Sequence, residues 1–312
     1  MNHDQWTAEQ DRTIVSVDGH RLNLAYRDSG AGDPVVFLHG IPTWSFRWRR
    51  IAPRLEDRFR TIVPDLVGYG NSDRRDSFDR SIRAQEQVLA GLVDDLGLER
   101  FHVAYDIGGV ALRYGAHTDG RIDRLVLSNA TCYGSWPVEY VTTLGFPRTL
   151  DMGPGAFEDA LDEAFVGGLA SDDPDPTWES GIEAPWLRDD GQRAYARAAV
   201  ATNTNHTTEI EHDEIDASLL CLRGADDAEQ PVEDGERLVE DIGGELVALD
   251  DARHWVDRGP TRRLPRTDRA LSRGRVTTLI DGYGRIDTIE RGSALPDLNG
   301  GQADLQSAAL PG

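Results

Sequence analysis

Two runs near the start of the chain, "RTIVSVDG" (residues 12–19) and "RLNLAYRDSG" (21–30), alternate apolar and polar positions. Asp18-Gly19 between them is a strong turn signal, so the chain is expected to begin with an antiparallel hairpin. Six short apolar, β-branched runs follow: "PVVFLHG" (34–40), "RTIVPDL" (60–66), "RFHVAYD" (100–106), "IDRLVLSN" (122–129), "ASLLCLRG" (217–224) and "GELVALDD" (244–251). Stretches such as "SIRAQEQVLAGLVDDLGL" (81–98) and "GGVALRYGAHT" (108–118) carry the spacing of amphipathic helices. Strands alternating with helices predict an α/β protein, with βα units around a mostly parallel, eight-stranded sheet flanked by helices.

The rhythm breaks once. From Tyr133 to His212 no core strand is evident; "MGPGAFEDALDEAFVGGLA" (152–170) and "GQRAYARAAVATNTN" (191–205) read as helices, with "SDDPDPT" (171–177) as a turn. This predicts a helical lid inserted between two core strands. The expected organisation is a core over residues 12–132, the lid over 133–212 and the rest of the core over 213–257.

Charge separates the remaining segment. Residues 258–312 carry nine Arg against six acids, whereas residues 1–257 carry 24 Arg against 49 acids. A fold of this class would close with a long amphipathic helix after "HWV", but "DRGPTRRLPRTDRALSRGR" is interrupted by Pro and Gly. Two readings stand: a reading frame that slips near Val256, giving a tail not selected to fold, or a natural basic tail.

The whole chain has a formal net charge of −22, and its 33 basic residues are all Arg. Such an acidic surface repels phosphates and argues against nucleic acid as a partner. The composition resembles that of halophilic proteins, which stay hydrated in concentrated salt; an ordinary acidic protein is the alternative reading. Cys132 and Cys221 each lie among apolar residues and do not form a disulfide framework, so both are expected in the core. The N-terminus has no apolar signal region, and no stretch reaches the roughly 18 apolar residues of a membrane span. A soluble, cytoplasmic protein is expected; its oligomeric state is left open.

The chemistry centres on Ala104-Tyr105-Asp106-Ile107-Gly108-Gly109. A strand running through small residues into a helix is the arrangement of a nucleophile elbow, where crowding demands small neighbours two positions either side; Ala104 and Gly108 meet that demand. A helix N-terminus favours an anion at the turn, which suits a carboxylate. Asp106 as a simple cap of the following helix is the competing reading.

Other segments bear on that choice. "FLHGIPTWSFRWR" (37–49), "PDLVGYGNSD" (64–73) and the elbow, in that order, resemble the α/β-hydrolase family, and within it the haloalkane dehalogenases and epoxide hydrolases, over roughly residues 12–257. The resemblance implies Asp106 as nucleophile, Asp227 in "CLRGADDAEQP" as the acid, with Asp226 its neighbour and competitor, and His254 in "ALDDARHWV" as the base. It assigns His39, Gly40 and Pro42 to the oxyanion loop, with the backbone N–H groups of Ile41 and Ile107 as oxyanion donors. Trp44, Tyr133, Trp136, Tyr140, Trp186 and Tyr195 become candidates for contact with substrate. His20, His102, His117, His206 and His212 belong to no motif and are expected to be structural. No His/Cys cluster has metal-ligand spacing, and no cofactor is implied.

A carboxylate nucleophile suits an sp³ carbon, since attack on an ester would give a reactive anhydride. The expected substrate is a small, mostly apolar electrophile: a haloalkane or an epoxide, opened to a covalent ester on Asp106 that a His254-activated water hydrolyses. Ile107 and Ile41 stand where dehalogenases place halide-stabilising polar side chains, and neither can donate a hydrogen bond. Tyr105 replaces the family's usual His. Epoxide hydrolases instead use lid tyrosines as acids, for which Tyr133, Tyr140 and Tyr195 are candidates. A non-catalytic relic or binding module is the reading of a different class.

Overall fold

In the computed structural model of the chain, residues 1–254 are described apart from 107–108, 136–142, 144, 146–147, 167–168, 170–174 and 202–203; the side chains of residues 106, 204 and 205 are left aside. The atypical segment 258–312 lies outside the described residues.

Eight strands form one sheet: β1 (Asp11–Val17), β2 (His20–Gly30), β3 (Asp33–Leu38), β4 (Phe59–Pro64), β5 (Phe101–Asp106), β6 (Ile122–Ser128), β7 (Ser218–Gly224) and β8 (Gly244–Leu249). Their spatial order is β1-β2-β4-β3-β5-β6-β7-β8. β1 and β2 are the expected hairpin, paired from Asp11↔Tyr26 to Val17↔His20. Asp18 (φ 48°) and Gly19 (φ 78°) are both left-handed, the geometry of a tight turn that matches strand twist. β2 also pairs antiparallel with β4, and every pairing from β4 through β8 is parallel. The central strands are buried on both faces, as in Val35–Leu38 of β3 and Leu125–Ser128 of β6, so they read as continuous apolar runs rather than alternations.

The described helices are α1 (His3–Ala8), α2 (Ile82–Asp95), α3 (Gly109–His117), α4 (Pro154–Val166), α5 (Pro176–Glu183), α6 (Gly191–Ala201), α7 (Thr204–Thr208) and α8 (Val232–Ile242). In α2 the Ser81 hydroxyl accepts from the Ala84 N–H, while Ile82, Val88, Leu89, Leu92 and Val93 bury one face. α4 to α7 all fall between β6 and β7, where the lid is expected. One of them replaces an expected turn: α5 starts inside "SDDPDPT", with Asp175 as its cap and Pro176 in its first turn. Among the described residues no helix is long and apolar enough to cross a membrane. Cys132 and Cys221 are both buried free thiols, and burial pushes the Cys132 thiol up to about 12.

The inserted helices meet the loops that follow β3 and β4. The Trp44 indole N–H donates to the Gly181 carbonyl (2.9 Å), Arg49 pairs with Asp175 (2.6 Å) and Arg74 pairs with Asp190 (3.1 Å). The insertion therefore sits over the C-terminal ends of the parallel strands, where loops of an open α/β sheet converge.

Candidate active site

β5 delivers Asp106 to the C-terminal edge of the sheet, its backbone in register with Ser128 of β6. Ile107 and Gly108 lie outside the described residues, and α3 begins at Gly109. The next two strands on the same side, β7 and β8, lead into the loops that hold Asp227 and His254.

These two loops close on each other. His254 Nδ1 lies 3.0 Å from Asp227 Oδ2, and both residues are buried. The second oxygen of Asp227 accepts the N–H of Glu229 (2.9 Å) and of Gln230 (3.3 Å), which fixes the orientation of the carboxylate. An Nδ1–H donated to Asp227 leaves Nε2 as the basic nitrogen of the ring. Asp226 is exposed, and its backbone N–H donates to the Ala252 carbonyl. Gly224 explains how the loops come so close: a Cβ there would meet the carbonyl oxygens of Ala252 and Arg253 at 2.5 Å. Any larger residue would push the histidine-bearing loop away.

Asn129, immediately after β6, is a residue the sequence did not single out. Its side-chain oxygen accepts the Gly224 N–H (2.9 Å), and its amide donates to the carbonyls of Arg253 (3.1 Å) and His254 (2.6 Å). It adopts φ 44°, a left-handed conformation that asparagine tolerates. One side chain thus ties together the ends of three strands.

The loop of His39, Gly40 and Pro42 is a frame. His39 is fully buried; its Nδ1 lies 2.8 Å from the Gly40 carbonyl, and its Nε2 accepts the Leu66 N–H (2.9 Å). Burial lowers its pKa to about 4, so the ring is neutral with the proton on Nδ1. The Gly40 carbonyl also accepts the N–H (2.9 Å) and hydroxyl (2.8 Å) of Thr43. With that oxygen held inward, the N–H of Ile41 on the same peptide plane turns the opposite way, out of the knot. The Ile41–Pro42 bond is cis. Asp65 of the second motif is spent on structure too, accepting from the Ser45 N–H, the Asn71 N–H and Gln10 Nε2.

Comparison with known proteins bears on the fold. A family model described as "alpha/beta hydrolase fold" matches residues 33–167. An alpha/beta hydrolase fold protein from Burkholderia ambifaria superposes with a TM-score of 0.69 at 27% identity, over 78% of this chain and 91% of that one. The chain has the α/β-hydrolase fold. Within that fold, haloalkane dehalogenase 2 of Mycobacterium tuberculosis is 34% identical over 139 residues, 44% of this chain and 48% of that enzyme. A cis-3-alkyl-4-alkyloxetan-2-one decarboxylase of Shewanella oneidensis is 35% identical over 127 residues, 39% of each chain. The chain spans about half the length, or less, of these two curated relatives.

On this α/β-hydrolase scaffold the substrate-contact candidates separate. Trp44 is fully buried, stacked on Phe46, with its N–H given to Gly181. Tyr133 donates its hydroxyl to Asp241 (2.6 Å) and packs between His212 and Arg237. Trp186 and Tyr195 are buried edge to face, ring centroids 5.2 Å apart. Trp136 and Tyr140 lie outside the described residues. Of the histidines without a motif, His117 pairs with Glu86, and His102 and His212 are buried. No group of three or more metal-ligating side chains occurs among the described residues.

Proposed function

We propose that the chain is a hydrolase of the haloalkane dehalogenase type, acting on a small, mostly apolar electrophile through Asp106, His254 and Asp227. The carboxylate of Asp106 attacks an sp³ carbon, the carbon–halogen bond breaks, and halide leaves with the bonding electrons, giving an alkyl ester of Asp106. His254 Nε2 then takes a proton from a water whose oxygen attacks the ester carbonyl. Asp227 holds the ring and stabilises the imidazolium. The oxyanion is received by the N–H groups of Ile41 and Ile107. Collapse releases the alcohol, which takes the proton back from His254; Asp106 is left as its acid and gives the water's second proton to solvent, so the net products are alcohol, halide and one proton.

The observation that carries this reading is the buried His254–Asp227 pair, 3.0 Å apart, in the loops of the two strands that follow β6 on the nucleophile's side of the sheet. The haloalkane dehalogenase relative supports halide as leaving group. The Tyr133 hydroxyl, committed to Asp241, is a poor acid for an epoxide oxygen, which puts epoxide opening second.

Intact-mass spectrometry of a His254→Gln variant incubated in molar KCl with 1-haloalkanes, epoxides and an oxetan-2-one tests this. Loss of the base traps the ester, so an alkyl increment absent from the Asp106→Asn/His254→Gln double variant is expected with haloalkanes. An increment only with epoxides reassigns the reaction, and folded protein without any adduct removes Asp106 as nucleophile.

A further inference from the structure

We propose that Tyr69 Oη, Trp186 Nε1 and Arg80 Nε form a buried binding site for a small monoanion on the seam between the core and the inserted helices. All three residues are 0% exposed, and none of the three atoms has a hydrogen-bond partner. Buried donors are nearly always satisfied in native proteins, so three orphans on segments packed around Tyr69 point to a place built for an acceptor.

The three residues come from separate segments and are brought together by packing. Tyr69 lies in the loop after β4, Arg80 just before α2 and Trp186 just after α5. The Tyr69 and Trp186 rings meet edge to face with centroids 6.0 Å apart. A Cβ on Gly68, the residue before Tyr69, would lie 2.8 Å from Arg80 Nε, so this edge of the guanidinium lies against the same loop. Its other nitrogens are used: Nη1 donates to the Ala194 carbonyl (3.2 Å), and Nη2 donates to the carbonyls of Arg74 and Arg75. Ala194 precedes Tyr195, whose ring packs on Trp186.

Charge decides what the acceptor is. Among the described residues Arg80 takes part in no ion pair. The acids closest to it in charge interaction are engaged elsewhere, Asp76 by Arg193 and Asp190 by Arg74. Arg74 adds a second cation, its guanidinium carbon 5.7 Å from the centre of the Trp186 ring. Carbonyl oxygens satisfy donors on Arg80 but leave its formal charge buried and uncompensated, which is unfavourable. A water molecule has two lone pairs and no charge, so it would leave one donor and the cation unmet. A halide ion or a carboxylate oxygen accepts all three donors and neutralises the guanidinium.

The location gives the site a use. Tyr69 packs edge-on to His39, at the end of β3, and β3 is the strand paired with β5 and Asp106. An anion held here lies at the reactive edge of the sheet. Two sources share the chemistry: a halide released from a substrate, or the carboxylate of a substrate that is itself an acid. The proposal concerns binding alone and does not require Asp106 to react.

Isothermal titration of the full chain with sodium bromide and with sodium acetate, ionic strength held with sodium sulfate, tests it. Saturable one-to-one binding of at least one probe is expected, weakened roughly tenfold or more in Tyr69→Phe and in Trp186→Phe, each of which removes one donor and keeps a ring. Arg80→Gln is expected to abolish binding; circular dichroism checks its folding, and the two aromatic variants decide the matter if it does not fold. Preference for bromide identifies a halide site, and preference for acetate a carboxylate site. No saturable binding of either probe, or affinities unchanged in both aromatic variants, overturns the proposal. Anion binding in a protein that forms no ester on Asp106 upholds this site while removing the reaction proposed above.

Discussion

Asn129 Nδ2 lies 2.6 Å from the carbonyl oxygen of His254, a hydrogen bond between residues 125 positions apart that holds the His254 loop from the end of β6, two strands away from β8. The same side chain holds Gly224 and Arg253, so its loss should act on the histidine loop before it acts on the fold.

Asn129→Gly keeps the left-handed backbone and removes all three bonds. It is expected to lower stability by about 2 kcal/mol, at roughly 0.5–1.5 kcal/mol per net hydrogen bond. Hydrolysis of the Asp106 ester should slow by roughly tenfold or more, with ester formation less affected, because only hydrolysis uses the base. Single-turnover kinetics separate the two steps. Equal slowing of both would show that Asn129 acts through general loosening.

Asp226 and Asp227 are adjacent and chemically identical, so paired substitution isolates position. Asp227→Asn should reduce turnover by roughly 10⁴-fold, the scale seen when the orienting acid of a Ser-His-Asp triad is neutralised. Asp226→Asn, at an exposed position, should change it less than about twofold. Initial rates at saturating substrate check both, and similar losses in the two variants would contradict the assignment.

Glu183, at the end of α5, has its pKa raised to about 8 by burial first and then by its hydrogen bond to Asp162 and the charges of Asp162, Glu179 and Glu158. The folded protein therefore holds a proton there that the unfolded chain releases near pH 4.5. The associated stability is fully present below about pH 4.5 and is lost as the pH rises towards and through 8. Glu183→Gln mimics the protonated form. Its melting temperature should match the parent's at pH 5 and exceed it at pH 8.5, and a parent whose stability rises over that interval relative to the variant would refute the shift.

The net charge of −22 carries a prediction about salt. Self-repulsion between exposed carboxylates is screened as the Debye length falls from about 10 Å at 0.1 M to about 3 Å at 1 M. The melting temperature should rise steadily with KCl into the molar range. A flat or falling profile would remove the high-salt reading of the composition.

The sheet was legible in the sequence because its signals are local. Each of the eight strands falls on one of the apolar runs, four of them starting one residue earlier, and the hairpin turn at Asp18-Gly19 is written in two residues. Asp227 and His254 were legible only as members of a pattern, which already set Asp227 ahead of Asp226; the burial that separates the two is decided by the loop from β8 passing over Gly224. α5 was missed because Asp175-Pro176 resembles a turn; the same pair is also a helix cap followed by a first-turn proline, and that was the available signal. Asn129 carries no periodic signal at all. The partners of Trp44 and Tyr133 lie 137 and 108 positions away, so nothing nearby in the chain announces that the Trp44 N–H and the Tyr133 hydroxyl are already taken.

The order in which the triad strands enter the sheet has a consequence for synthesis. β5, with Asp106, pairs with β3 and β6, all within the first 128 residues, whereas Asp227 and His254 arrive only after the inserted helices, on strands added one by one at the far edge. On the proposed assignment, a nascent chain still on the ribosome can complete the nucleophile's half of the sheet while it has no means of turning over an ester. Any electrophile that reaches Asp106 in that interval stays attached. On that assignment the docking of β8 is a commissioning step: turnover begins when β8 joins the sheet and Asn129 takes hold of the histidine loop.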